Sequence, residues 1–178
     1  MELIQVKDKK FRKMISSAEI DEAVTRVAQQ INQDYQNETP IILVTLNGAI
    51  IFASDLLKQL NIECVVTCVK VASYRGTQCT DNLQEVIGLT ENIEGKRVLI
   101  IEDIVDTGNT YMHLAALLKE KKVKDVRIAT MTFKPDTYDK SLPVHYIGIN
   151  IPSLFVVGRG LDYNGLGRNL VDIYQLHE

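Results

Sequence analysis

Apolar positions along the chain change their period several times, and each change marks an element. Between residues 16 and about 36 they fall at Ile20, Val24, Val27, Ala28, Ile31 and Tyr35. This is the spacing of one helix face, and Ser16 with Glu19 has the S-x-x-E form of a capping box at its start. Residues 41–46 are then apolar except for Thr45, as a strand covered on both faces requires. Asn47-Gly48 breaks that run. Residues 50–60 return to helical spacing, with Ile50, Ala53, Leu57 and Leu60 on one side. A β-branched strand is predicted over 62–72, a buried strand over 98–101, and a helix over 110–121 with Leu114, Leu117 and Leu118 on its apolar face. Further strands are predicted over 126–133, 144–149 and 155–157. Strand and helix alternating in this way predict an α/β domain with a mainly parallel sheet flanked by helices, one domain over residues 1–178.

One stretch has no apolar period. From residue 73 to about 85 the chain reads SYRGTQCTDNLQE. A polar loop of that length inside a domain suits a flexible cover over a site, and the plainer alternative is a long hairpin loop.

Composition narrows the classes. The 178 residues suit one domain of ordinary size, and the net charge of -3 argues against a nucleic-acid partner. No apolar run approaches the roughly 18 residues of a membrane helix, and the N-terminus lacks the form of a signal peptide. Cys64, Cys68 and Cys79 are too few and too odd in number for a disulfide framework, so a cytoplasmic setting is expected. Cys64 and Cys68 read as core packing rather than as a metal pair, since no histidine lies nearby in sequence. The lysine-rich residues 119–124 close a helix C-terminus, where cations suit the helix dipole, and then turn through solvent.

The chemistry concentrates in residues 98–110, VLIIEDIVDTGNT. A buried strand ends in two adjacent carboxylates, Glu102 and Asp103. Asp106 follows, then Thr107, Gly108, Asn109 and Thr110, and then a helix. Ligands of parallel sheets bind beyond the carboxyl ends of the strands. A loop entering a helix N-terminus offers free amides and a favourable dipole to an anion, and Gly108 lets the backbone come close. Neither G-x-x-x-x-G-K-[ST] nor G-x-G-x-x-G is present. Two acids beside the loop would repel a polyphosphate but could accept hydrogen bonds from sugar hydroxyls. The loop is therefore read as holding one phosphate and the acids as holding the attached ribose. The alternative is an acidic turn in which Asp106 merely caps the helix.

This string resembles the phosphoribosyl-pyrophosphate motif of the type I phosphoribosyltransferases. From residue 41 to 176 the chain is similar to the hypoxanthine-guanine branch of that family. The supporting pieces are Leu46-Asn47-Gly48, Ser73-Tyr74, Lys134 after a strand, Phe155-Val-Val-Gly, and Leu161-Asp162-Tyr163-Asn164. The resemblance implies the type I phosphoribosyltransferase fold, with a small purine-side hood from residues of about 150–178. It implies transfer of a phosphoribosyl group to hypoxanthine or guanine, giving IMP or GMP and pyrophosphate, with Mg²⁺ as cofactor. A xanthine-preferring enzyme and a non-catalytic regulator that binds phosphoribosyl pyrophosphate are the alternatives.

Residue roles follow from the same resemblance. Glu102 and Asp103 would hold the ribose hydroxyls, directly or through Mg²⁺, and Asp162 would be a further metal ligand near the purine 2-position. Asp106 would be the general base at purine N7, and residues 106–110 would bind the 5′-phosphate. Lys134 would donate to the purine 6-oxo group, Phe155 would stack on the base, and the Val156 backbone would meet its edge. Arg168, Asn47 and Gly48 would line the pyrophosphate site, with the Leu46–Asn47 peptide cis. Ser73 and Tyr74 would belong to the closing loop. The family also implies a homodimer or homotetramer. Three positions depart from its pattern: Asn47 stands where a basic residue is frequent, Ala49 where a second glycine is, and Arg159 where an aromatic is.

Overall fold

The computed structural model describes residues 3–73, 83–87 and 92–177. Among them the elements run β1 (Leu3–Val6), β2 (Lys9–Ile15), α1 (Ser17–Asp34), β3 (Ile41–Thr45), α2 (Ile50–Leu57), β4 (Val65–Ser73) and β5 (Leu83–Ile87). They continue with β6 (Arg97–Val105), α3 (Asn109–Glu120), β7 (Asp125–Phe133), β8 (Tyr146–Asn150), β9 (Val156–Val157) and β10 (Ile173–His177).

The main sheet has the order β5-β4-β3-β6-β7-β8. All its neighbours are parallel except β5, which pairs antiparallel with β4 on the edge. The centre of the sheet is β3 and β6, as the apolar runs 41–44 and 98–101 demand. Every residue of β3 is buried, and so are Val98 to Ile101 of β6. One core lies against α1 and α2 and is filled by Ile20, Val24, Ile31, Phe52, Leu56, Leu99 and Ile101. The other lies against α3 and is filled by Leu43, Ile100, Leu114, Leu118 and Ile128. Each strand thus sends alternate side chains to opposite cores. Cys64 and Cys68 are free thiols packed beside the first core.

Helix α1 starts where the sequence places it. Ser16 is its N-cap, and both arms of the capping box with Glu19 are formed. Several other boundaries differ from the sequence reading, β4 starting at Val65 rather than 62 and β8 at Tyr146 rather than 144 among them. Helix α2 stops at Leu57 rather than 60. Residues 83–85, expected in a polar loop, lie in β5. Strand β6 continues past residue 101 to Val105, because Ile104 and Val105 still pair with Thr132 and Phe133 of β7. Glu102 and Asp103 are therefore inside the last turns of a strand and not beyond it.

A second, smaller sheet has the order β1-β2-β10-β9, entirely antiparallel. It is the hood expected of residues 150–178, but half of it comes from the N-terminal segment, whose strands the hydrophobic pattern does not disclose. Phe11, Val6 and Val157 form its own small core. The hood is fastened to the main layer at several points. Ser17 N, at the start of α1, donates to Asp172 Oδ1 (2.7 Å), whose Oδ2 is held within the hood by Lys13 (2.6 Å). Ile151 N donates to Phe133 O (2.8 Å), at the carboxyl end of β7.

Candidate active site

The carboxyl ends of β3, β6 and β7 carry the polar side chains of the site. Glu102 is 6 % exposed, and its Oε2 lies 2.7 Å from the Thr45 hydroxyl at the end of β3. Its other oxygen, Oε1, is buried and has no hydrogen-bond partner among the described residues. Burial pushes the Glu102 carboxyl well above its ordinary range, and the neighbouring Asp103 charge pushes it further. Asp103 is also raised, chiefly by burial, while the Ile104 amide (2.9 Å) and the Arg168 charge pull the other way. Gly48 makes room for this pair. A Cβ at position 48 would collide with the Asp103 carboxylate. The Leu46–Asn47 peptide is cis. Asn47 is exposed, and its side chain supplies no charge to the loop.

Beyond β6 the loop from Asp106 to Thr110 turns into α3. Gly108 is the N-cap, with φ +78°, a left-handed conformation that suits glycine. Tyr138 packs so closely over it that a side chain there would clash. No side chain caps the helix. This removes the reading of Asp106 as a capping residue and leaves the first amides of α3 facing a cavity of about 190 Å³. Its walls are Glu102 and residues 104–111. A concave pocket with free helix-start amides on one side is an anion site.

Asp106 is engaged elsewhere. Its Oδ2 accepts from Lys134 Nζ (2.6 Å) and its Oδ1 from the Thr137 hydroxyl (2.5 Å). Burial acts to raise the Asp106 carboxyl, but the bonds from Lys134 and Thr137 and the Lys134 charge outweigh it and hold the group below its usual value. Lys134 is only 8 % exposed, although it follows a strand end where lysines are ordinarily solvated. Its backbone amide is anchored on Val105 O (3.0 Å). Thr137 was not visible in the sequence: it lies in a polar stretch without motif, and its partner is 31 residues away.

The hood supplies the remaining candidates. Phe155 is 46 % exposed and braced from behind, 6.4 Å from Phe11 and edge-on to Tyr163 at 5.9 Å. One face is thus left open to a flat ligand. Val156 is buried and pairs with Gln175, while Leu176 N donates to Phe155 O (2.9 Å). Arg168 pairs with Asp162 Oδ1 (2.5 Å) and donates to Gly160 O (2.7 Å). The second oxygen of Asp162 accepts from Gly165 N (2.6 Å). Gly160 in turn rests on the Gly48 carbonyl, with no space for a Cβ between them. This contact joins the hood loop to the loop after β3.

The structure thus gathers Glu102, Asp103, Asp106, Lys134 and the loop 106–110 at one sheet end, with Gly48, Asp162 and Arg168 at its hood side. Glu102, Asp103 and Asp162 do not form a preassembled metal cage: among the described residues no three acidic, histidine or cysteine side chains converge on one point. Ser73 ends β4, whereas Tyr74 and Cys79 lie outside the described residues.

Comparison with known proteins decides the family. The phosphoribosyl transferase domain model matches residues 16–164, which include every element from α1 to β9. The chain belongs to that family. A hypoxanthine-guanine phosphoribosyltransferase of Staphylococcus aureus is 36% identical over 158 residues, 88% of either chain. The bifunctional protein TilS/HprT of Listeria innocua is 35% identical over 158 residues, but the chain spans only 24% of that protein. The crystal structure of a hypoxanthine phosphoribosyltransferase from S. aureus superposes with a TM-score of 0.87 at 35% identity, over 93% of this chain and 91% of that one. This phosphoribosyltransferase chain therefore has the type I fold that its motifs resemble, hood included.

Proposed function

We propose that the protein is a cytoplasmic purine salvage enzyme that transfers the phosphoribosyl group of phosphoribosyl pyrophosphate to hypoxanthine or guanine, releasing IMP or GMP and pyrophosphate. The observation that carries this reading is the Asp106–Lys134 pair (2.6 Å), whose carboxylate lies in the wall of the cavity at the start of α3 and whose lysine is buried. A binder of phosphoribosyl pyrophosphate alone has no use for a buried lysine and a carboxylate on the purine side. The family's named relatives support the enzyme as well.

Each part has a task that its chemistry permits. The α3 amides with Thr107 and Thr110 hold the 5′-phosphate. Glu102 and Asp103 accept from the ribose hydroxyls. Buried Glu102 Oε1 has no hydrogen-bond partner among the described residues, so a hydroxyl or the water shell of Mg²⁺ would satisfy it. The adjacent acids therefore fit a magnesium ion bound mainly through substrate and water, which supplies charge neutralisation for the departing pyrophosphate. Asp162 joins from the hood, and Arg168 with the backbone at Asn47 and Gly48 faces the pyrophosphate. Phe155 stacks on the purine, Val156 meets its edge, and Lys134 donates to a 6-oxo group, which a 6-amino group cannot accept in the same way. As the purine bonds to C1 of the sugar, pyrophosphate leaves with the electron pair of the broken C–O bond. The N7 proton passes to Asp106. A homodimer or homotetramer belongs to the same proposal.

Asp106→Asn tests the assignment. General-base loss should slow kcat about a hundredfold or more. Binding of phosphoribosyl pyrophosphate, measured calorimetrically with Mg²⁺, should be nearly unchanged. An equal loss of turnover and affinity would mean that Asp106 holds substrate and is not the base.

A further inference from the structure

Each oxygen of Asp106 already accepts one hydrogen bond, and these bonds weaken the carboxylate as a base until one donor leaves. Lys134 holds Oδ2 at 2.6 Å and the Thr137 hydroxyl holds Oδ1 at 2.5 Å. The two donors are not equivalent. Lys134 is a long, rotatable ammonium whose proposed destination is the purine 6-oxo group. Thr137 is short and fixed by its own backbone: its N–H donates to Lys134 O (3.3 Å), and its hydroxyl lies 3.3 Å from the same carbonyl. The turn after β7 therefore carries both donors, three residues apart, and only one of them can leave.

We propose that Thr137 is a positioning residue for phosphoribosyl transfer, pinning Asp106 Oδ1 so that Oδ2 is the oxygen offered to the purine when Lys134 turns to the 6-oxo group. Without this anchor the carboxylate rotates with the departing ammonium, because the Lys134–Asp106 attraction is the stronger of its two bonds. With it, one ligand atom does two things. A 6-oxo group draws Lys134 away, and the same movement frees a carboxylate oxygen aimed at the purine N–H. That N–H bond then breaks as the Asp106 O–H bond forms. A 6-amino purine does not draw the ammonium off, so Asp106 stays occupied. Recognition of the base and release of the catalytic carboxylate become one event.

The inference rests on the function proposed above, and the experiment keeps the two apart. Wild type, Thr137→Val and Thr137→Ser are assayed with phosphoribosyl pyrophosphate, Mg²⁺ and hypoxanthine. Asp106 is also titrated directly in each protein by carbon-13 NMR of its carboxyl. Thr137→Val keeps the shape and removes the donor, and should lower kcat about tenfold with KM for phosphoribosyl pyrophosphate unchanged, as loss of a bond to a charged group implies. The Asp106 carboxyl should titrate at higher pH than in wild type, and Thr137→Ser should restore both properties. Wild-type kcat and wild-type Asp106 titration in Thr137→Val would overturn the proposal, as would a Thr137→Ser variant as impaired as Thr137→Val. A wild-type protein silent with every purine would count against the function, while the NMR comparison would still decide whether Thr137 governs Asp106.

Discussion

At the scale of single residues, the site is a set of charges that are costly alone and useful together. Lys134 is the clearest case. Its side chain is buried, and the cost of that burial is offset by Asp106 at 2.6 Å. The pairing also sets the pH behaviour. Asp106 is held below its ordinary value, so the ionised carboxylate a base requires persists throughout the neutral range. Lys134→Met removes both a hydrogen bond and a charge from Asp106, and its proton affinity must rise. The acid limb of the kcat/KM profile should move to higher pH, and the preference for hypoxanthine over adenine should collapse. A profile that stays in place, with discrimination intact, would remove Lys134 from both roles. Asp106, Lys134 and the loop 106–110 were legible in the sequence because the strand, acids, glycine and helix start are contiguous or stand at a motif position. Thr137 was not, since only folding brings it to its carboxylate.

At the scale of elements, the informative departure is Arg159. It stands where the family commonly has an aromatic, and its side chain is nearly buried. Its guanidinium reaches Asp21 of α1 (2.5 Å), Asp55 of α2 (2.8 Å) and Val171 O (3.4 Å). An arginine here ties the hood loop to two helices of the main layer. The next residue, Gly160, is the one that rests on Gly48 and receives Arg168. Arg159→Ala takes the shared cation from Asp21 and Asp55, leaving Asp55 only the exposed Lys58 (3.3 Å), and should loosen the hood. Amide exchange in β9 and β10 should accelerate about tenfold or more while β3 and β6 are unchanged, as loss of a charged hydrogen-bond partner implies. Unaltered exchange in β9 and β10 would show that the tie holds nothing. The hood itself explains what the sequence withheld. The main sheet announces itself through unbroken apolar runs, whereas β2 reads KKFRKMI and β10 reads IYQLH. Such half-exposed strands bury only alternate residues and find their partners at opposite ends of the chain, so no local window contains the signal. β5 escaped differently: it is a short edge strand, LQEVI, that follows a polar stretch.

At the scale of the whole molecule, a modest negative charge conceals a divided surface of tasks. Glu102, Asp103, Asp106 and Asp162 bring four carboxyl groups to one end of the sheet and its hood side, and the proposed function gives each a partner in sugar, metal or proton. The parallel layer presents them, the hood stands beside them, and no helix among the described residues is long and apolar enough to cross a membrane. The central claim is that this assembly joins a 6-oxopurine to phosphoribose. It is tested by mixing the protein with phosphoribosyl pyrophosphate and Mg²⁺, adding hypoxanthine, guanine, xanthine or adenine, and following pyrophosphate release. Release with hypoxanthine or guanine, little with xanthine and none with adenine is the predicted result. Silence with all four bases, or adenine turning over faster than hypoxanthine, would contradict it.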